Sequence, residues 1–125
     1  MKIVVVEDSL PVQQLLVQRL AGARLQVVGT AVGADEALEL VLSCQPDVVL
    51  LDLKLSPGSG LWVLTQLRAR GVQAKILIFS SEDRGAYANL CRIRGADGFF
   101  DKAHDLEELV AALEALARPA AAVVG

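Results

Sequence analysis

A chain of 125 residues and 13.3 kDa falls in the size range of one domain. Its 54% hydrophobic content supports a core without disulfides or a structural metal and excludes disorder over most of the length. Twelve Lys and Arg against 15 Asp and Glu leave a net charge of −3, the wrong sign for a protein that grips the nucleic-acid phosphate backbone. The longest apolar run among the strand-like segments, Val48 to Leu51, is far short of the roughly 20 residues that cross a bilayer. Met1 and Lys2 precede only the short run Ile3 to Val6 before Glu7, too little for the core of a secretion signal. The expectation is a soluble cytoplasmic protein with no membrane contact and no direct nucleic-acid contact.

In chain order, Lys2 to Val6 reads as a strand, and the first helix starts at Ser9 as N-cap with Pro11 in its opening turn. Val12, Leu15, Leu16 and Leu20 share one face of that helix, and Gly22 stands at its end. Strands follow at Leu25 to Thr30, Asp47 to Leu51 and Ala74 to Phe79, with a weak one at Gly98 to Phe100. Helically spaced segments lie between them. Trp62 opens the third and reads as a partly buried packing residue, and Gly71 and Gly95 follow the third and fourth. The fourth, about Arg84 to Arg94, is the least periodic and reads as the mobile one. The last carries Leu106, Leu109, Val110, Leu113 and Leu116 at helical spacing behind a capping-box-like Asp105 and Glu108. The small apolar tail from Pro119 to Gly125 reads as frayed.

Strands that are continuous rather than alternating are buried on both faces. Five of them alternating with five helices imply an α/β, doubly wound parallel sheet with right-handed crossovers. Cys44 and Cys91 are far apart and read as buried free thiols; with His104 as the sole histidine, no zinc site assembles. His104 itself reads as a surface residue of a polar turn. Strand alternation turns one of Phe99 and Phe100 outward.

Open parallel sheets bind ligands beyond the carboxyl ends of their strands. There stand Glu7 and Asp8 after the first strand, Asp52 after the third, Ser80 and Ser81 at the fourth, and Lys102 after the fifth. Asp52 directly follows Val48 to Leu51, where a charge is costly unless paired or metal-bound. Clustered carboxylates suit a hard cation such as Mg²⁺. A carboxylate is a competent nucleophile toward phosphorus, and a lysine with a hydroxyl stabilises charge on phosphoryl oxygens.

The segments VVVEDS, VVLLDLKLSPGSG, ILIFSS and GADGFFDKAHD, in this order, closely resemble the receiver domain of two-component response regulators over about residues 2–118. The resemblance implies a flavodoxin-like (βα)5 fold with strand order 2-1-3-4-5, a receiver domain at 1–118 and a flexible tail at 119–125. It implies Asp52 as phosphoacceptor with Ser80 and Lys102 as catalytic partners. Glu7, Asp8, Asp52 and the backbone carbonyl of Lys54 become the Mg²⁺ ligands, and Ser80 and Phe99 the switch. Gly60 matches the glycine of the loop after the third strand. Lys54 and Glu82 flank the path of the attacking water in the phosphorylated form and are expected to pair across it.

A histidine kinase or phosphotransfer protein is the implied phosphoryl donor in a phosphorelay. The implied output is an unidentified protein target, met as a monomer or a phosphorylation-dependent dimer. The family's usual signalling face is the fourth helix, fifth strand and fifth helix, where Arg92, Arg94 and Glu107 are expected to be exposed. With no output domain after the fifth helix, the chain is expected to act through protein contacts unless it is a piece of a longer one. No enzyme activity is implied beyond self-phosphorylation and self-dephosphorylation. The pattern departs from the family at Ser56, where proline is usual and comes one residue later at Pro57. It departs again at Ala103, where a trans bond and a turn shifted toward His104 are expected, and at Ser81, usually alanine. Three rivals remain. An aspartyl phosphatase is disfavoured by the position of Asp52 after the third strand, and a flavin module by the repulsion of Glu7 and Asp8 toward phosphate. A receiver-like scaffold that works unphosphorylated is the third.

Overall fold

The apolar runs and helical segments resolve, over residues 1–118 described by the computed structural model, into an unbroken alternation. The elements are β1 (Lys2–Val6), α1 (Leu10–Gly22), β2 (Gln26–Ala31), α2 (Ala34–Cys44), β3 (Val48–Leu51), α3 (Gly60–Ala69), β4 (Lys75–Ser80), α4 (Arg84–Ile93), β5 (Gly98–Asp101) and α5 (Leu106–Ala117). The strands form one parallel sheet in the order β2-β1-β3-β4-β5, as expected. The tail at 119–125, read as frayed, lies outside the described residues.

Successive strand residues point to opposite faces, and each face has its own core. Val4, Val6, Val49, Leu51, Ile76 and Ile78 meet residues of α2, α3 and α4, among them Leu64, Leu67 and Cys91. Ile3, Val5, Val48, Leu50, Leu77 and Phe79 meet Leu16 and Leu20 of α1 and Leu109, Val110 and Leu113 of α5. Register aligns the strand ends: Val6 pairs with Leu51, and Leu51 with Ile78. The residues just past β1, β3 and β4 therefore emerge side by side at one edge.

Several local expectations are corrected. Burial on both faces holds for β1, β3 and β4, but β2 is an edge strand whose Gln26 and Thr30 are exposed. Phe99 and Phe100 do point to opposite faces, yet neither is turned out to solvent, because helices cover both sides and each ring packs against a core. On α1 the inward stripe is Val12, Leu16 and Leu20, leaving Leu15 53% exposed. Leu116 is 42% exposed and Cys44 only half-buried, whereas Trp62, at 41% exposure, is partly buried as expected.

Gly71 (φ 78°) and Gly95 (φ 108°) close α3 and α4 in the left-handed region, but Gly22 lies within α1 and Arg24 (φ 61°) makes that turn instead. Ser9 caps α1 as expected, its hydroxyl accepting from the Val12 amide. Asp105 makes no side-chain cap on α5, because its carboxylate is engaged elsewhere. The fourth helix does have an inward face, Tyr87, Ala88 and Cys91, but only Cys91 is fully buried, since the face consists of small residues and one aromatic.

Candidate functional site

The C-terminal edge of the sheet gathers charge at the mouth of an apolar interior. Glu7 follows β1 and Asp52 follows β3; both are buried, Asp52 to 4% exposure. Such carboxylates persist only with partners. Lys102, after β5, donates Nζ to Asp52 Oδ2 at 2.7 Å and lies 2.6 Å from Glu7 Oε1. The second Glu7 oxygen accepts from the Ser9 amide at 3.0 Å, and Asp52 Oδ1 receives a long contact from the Lys54 amide at 3.3 Å. Lys102 is itself held in line, its amide donating to the Ser80 carbonyl at 3.1 Å.

One ammonium thus answers two buried carboxylates, and this sets the electrostatics. Burial pushes Glu7 above the usual carboxylate range and the Asp52 charge adds to this, only partly offset by Lys102 and the Ser9 amide. Burial also works against the Lys102 ammonium, but its hydrogen bonds to Asp52 and Glu7 and their charges outweigh it and raise its pKa.

Half-buried Asp8 completes a cluster: one carboxylate oxygen each from Glu7, Asp8 and Asp52 lie within 4.8 Å of one another. An all-oxygen set of this kind fits a hard divalent cation. Ser80 is fully buried at the end of β4, its hydroxyl accepting from the Glu82 amide at 3.1 Å. Ser81 next to it is exposed. Over the opening, Lys54 Nζ lies 3.2 Å from Glu82 Oε1, the pairing expected across the mouth.

The loop after β3 sets the backbone at Asp52. A Cβ at Gly60 would overlap the Asp52 carbonyl, so only glycine lets α3 start this close to the strand end. Gly58 (φ 102°) lies against Ala34, and the Pro57 carbonyl accepts from the Ala34 amide at 2.8 Å, tying the loop to α2. The Ser56–Pro57 bond is cis, and the Lys102–Ala103 bond is trans, as expected. The turn after Lys102 closes from Asp105 N to Asp101 O at 2.8 Å.

Of the sequence-predicted residues, Glu7, Asp8, Asp52 and Lys102 converge, with Ser80 buried at the end of β4 and Lys54 at the rim. Phe99 packs in the α4–β5 region, while Trp62, His104 and the two cysteines stand apart from the cluster. Arg92, Arg94 and Glu107 are exposed as expected. Sequence reading missed Arg84, which bonds Asp105 across 21 positions; no spacing rule signals a contact between the starts of two separate helices.

A parallel five-stranded sheet in this order, with a carboxylate cluster and a lysine at its C-terminal edge, defines the phosphoacceptor class of flavodoxin-like domains. The family model "Response regulator receiver domain" matches residues 3–114, and the chain belongs to that family. Relatives include the nitrate/nitrite response regulator protein NarL of Escherichia coli, 35% identical over 89 residues covering 71% of this chain and 41% of that protein. The response regulator MprA of Mycolicibacterium vanbaalenii is 35% identical over 94% of this chain and 50% of its own length. The chain spans about half the length of these curated relatives or less.

Among solved structures, the BeF3-activated receiver domain of Klebsiella pneumoniae RstA superposes with a TM-score of 0.86 at 30% identity, covering 95% of this chain and all of that one. The signal receiver domain of Mycobacterium tuberculosis NarL gives 0.85 at 29% identity, covering 92% and 94%. The domain is a receiver of two-component signalling, with the phosphoacceptor role of that family. Among the described residues, no helix is long and apolar enough to cross a membrane.

Proposed function

We propose that Asp52 is the residue phosphorylated and that residues 1–118 act as a complete cytoplasmic receiver unit. The observation that carries this is the Asp52 carboxylate itself, buried at a strand end, 2.7 Å from Lys102 and grouped with Glu7 and Asp8. An Asp52 oxygen attacks phosphorus of a phosphohistidine on a histidine kinase or phosphotransfer protein. The new O–P bond forms as the P–N bond breaks and imidazole leaves, giving an acyl phosphate. Lys102 already sits at the carboxylate and is placed to shift its ammonium onto the arriving phosphoryl oxygens, while the Ser80 hydroxyl exchanges its bond to the Glu82 amide for one to the phosphoryl group.

Asp8, Glu7, Asp52 and the Lys54 carbonyl would hold Mg²⁺, which when bound neutralises the carboxylates and the incoming phosphoryl charge. Phe99, next in line on β5, conveys the change to the surface of α4, β5 and α5. That face then engages a protein target or a second copy. The chemistry proposed for the chain is on itself, uptake and hydrolysis of the phosphoryl group.

Intact-mass analysis after treatment with acetyl phosphate and Mg²⁺ should show one acid-labile phosphoryl adduct, absent without the metal and absent in Asp52→Asn. An adduct of undiminished size in that variant overturns the assignment, and no adduct in the parent favours a scaffold that works unphosphorylated.

A further inference from the structure

α4 opens on Arg84, and its guanidinium meets three groups at once. Nη2 donates to the Phe99 carbonyl at 3.0 Å and to Asp105 Oδ2 at 2.6 Å, and the guanidinium carbon stands 5.8 Å from the centre of the Phe99 ring, within cation–π range. Asp105 is anchored independently. The same Oδ2 accepts from the Asp101 amide at 2.9 Å, so the carboxylate faces β5 and α4 rather than capping α5. The Asp101 amide first, and the Arg84 charge after it, hold this carboxyl below the usual range. Asp83 caps α4 through the Gly85 amide at 3.0 Å, which fixes the backbone from which Arg84 extends.

The clasp joins the two chain segments that leave the site. Arg84 lies four residues after Ser80 and Phe99 three before Lys102, so β4 and β5 deliver a hydroxyl and an ammonium to the cluster and are tied to each other just beyond it. We propose that Arg84 and Asp105 are a positioning pair. They hold the Phe99 ring and the start of α4 in the observed arrangement, and their bond sets how readily Asp52 takes up a phosphoryl group. The inference rests on the phosphoacceptor reading of Asp52. Drawing Ser80 toward a phosphoryl group on Asp52 pulls the segment 81–83, and with it Arg84; the clasp resists that displacement and must open for it. With Arg84 56% and Asp105 23% exposed, the bond is weak enough to tune an equilibrium rather than lock it.

The test compares the parent with Arg84→Gln, Asp105→Asn and the double variant. One measurement is NMR of Phe99 and its neighbouring amides with no phosphoryl donor present; the other is the rate of Asp52 phosphorylation by acetyl phosphate and Mg²⁺, followed by intact mass. Asparagine keeps an oxygen for the Asp101 amide and removes only the charge, so loss of the turn is not confounded with loss of the clasp. Arg84→Gln should move the Phe99 resonances, broaden those of residues 83–87, and raise the uptake rate about two- to fivefold, the range open to an exposed pair. The double variant should match either single one rather than sum them. Raised salt should carry the parent toward Arg84→Gln and leave that variant unchanged. Phe99 resonances that superimpose on the parent's, or an uptake rate unchanged by Arg84→Gln, overturn the proposal. If the parent takes up no phosphoryl group at all, the reading of Asp52 fails, and the Phe99 resonances alone still decide whether the clasp exists.

Discussion

The centre of the sheet and its β5 edge are built to different tolerances. In β1, β3 and β4 every inward residue from Ile3 to Val6, Val48 to Leu51 and Ile76 to Ser80 is buried, and the carboxylates they present are held by short bonds from Lys102. Along β5 every residue is only half-buried, and α4 buries Cys91 alone. Beyond the β4–β5 ladder and Cys91, its side-chain ties include surface contacts such as Arg84 to Asp105 and Arg94 to the Thr65 hydroxyl. The contrast separates two tasks. Chemistry at Asp52 needs groups fixed in place, which dense packing provides, whereas a surface that responds must have two arrangements close in free energy.

Truncating the two regions should separate them most widely. Leu51→Ala, at the strand end beside Asp52, should cost about 2–5 kcal/mol in denaturant melts, whereas half-buried Ala88→Gly on α4 should cost about 1 kcal/mol. Equal costs would erase the distinction. Gly60→Ala tests the rigid side from the backbone, since the added methyl meets the Asp52 carbonyl. A loss of about 1–3 kcal/mol is expected, together with slowed uptake of phosphate on Asp52.

Asp8→Asn should weaken Mg²⁺ binding while raising the melting temperature without metal, because like charges within 4.8 Å repel when no cation screens them. A Mg²⁺-induced rise in melting temperature identical to the parent's would count against Asp8 as a ligand. At the rim, replacing Lys54 and Glu82 together by alanine should speed loss of phosphate from Asp52 a few-fold, and salt should speed it in the parent but not in the double variant.

The smallest effect belongs to the one fully buried side chain of α4. Burial raises the Cys91 thiol above its ordinary 9.0, so the unfolded chain releases that proton first as pH climbs. The contribution to stability is therefore whole below pH 9.0 and is lost as pH rises toward the folded value. Melts from about pH 8 to pH 10 should show a steeper fall for the parent than for Cys91→Ala. Parallel curves would mean that α4 opens enough for the thiol to ionise in place, a sharper statement of the region's softness.

The strands, the order of chemistry along the chain and most of the site were legible in the amino-acid sequence, because apolar periodicity marks each element and strand ends mark where polar groups emerge. Lys2 to Val6 reads as β1 without error, and Glu7, Asp8, Asp52 and Lys102 are the polar residues that stand just past the strand ends. The resemblance then supplied roles that no spacing rule contains, such as the pairing of Lys54 with Glu82. Edges and loops were not legible. Whether a continuous apolar run is covered depends on which strand ends up beside it, so β2 read as fully buried and proved exposed at Gln26 and Thr30. Asp105 reads as a helix cap because local spacing favours it, but the Asp101 amide and Arg84 both bond its carboxylate, which leaves the first turn of α5 without a side-chain cap. Local periodicity determined the elements and the residues at their ends; only the side-by-side order β1-β3-β4-β5, which sets distances between residues far apart in the chain, decided which of those residues hold one another.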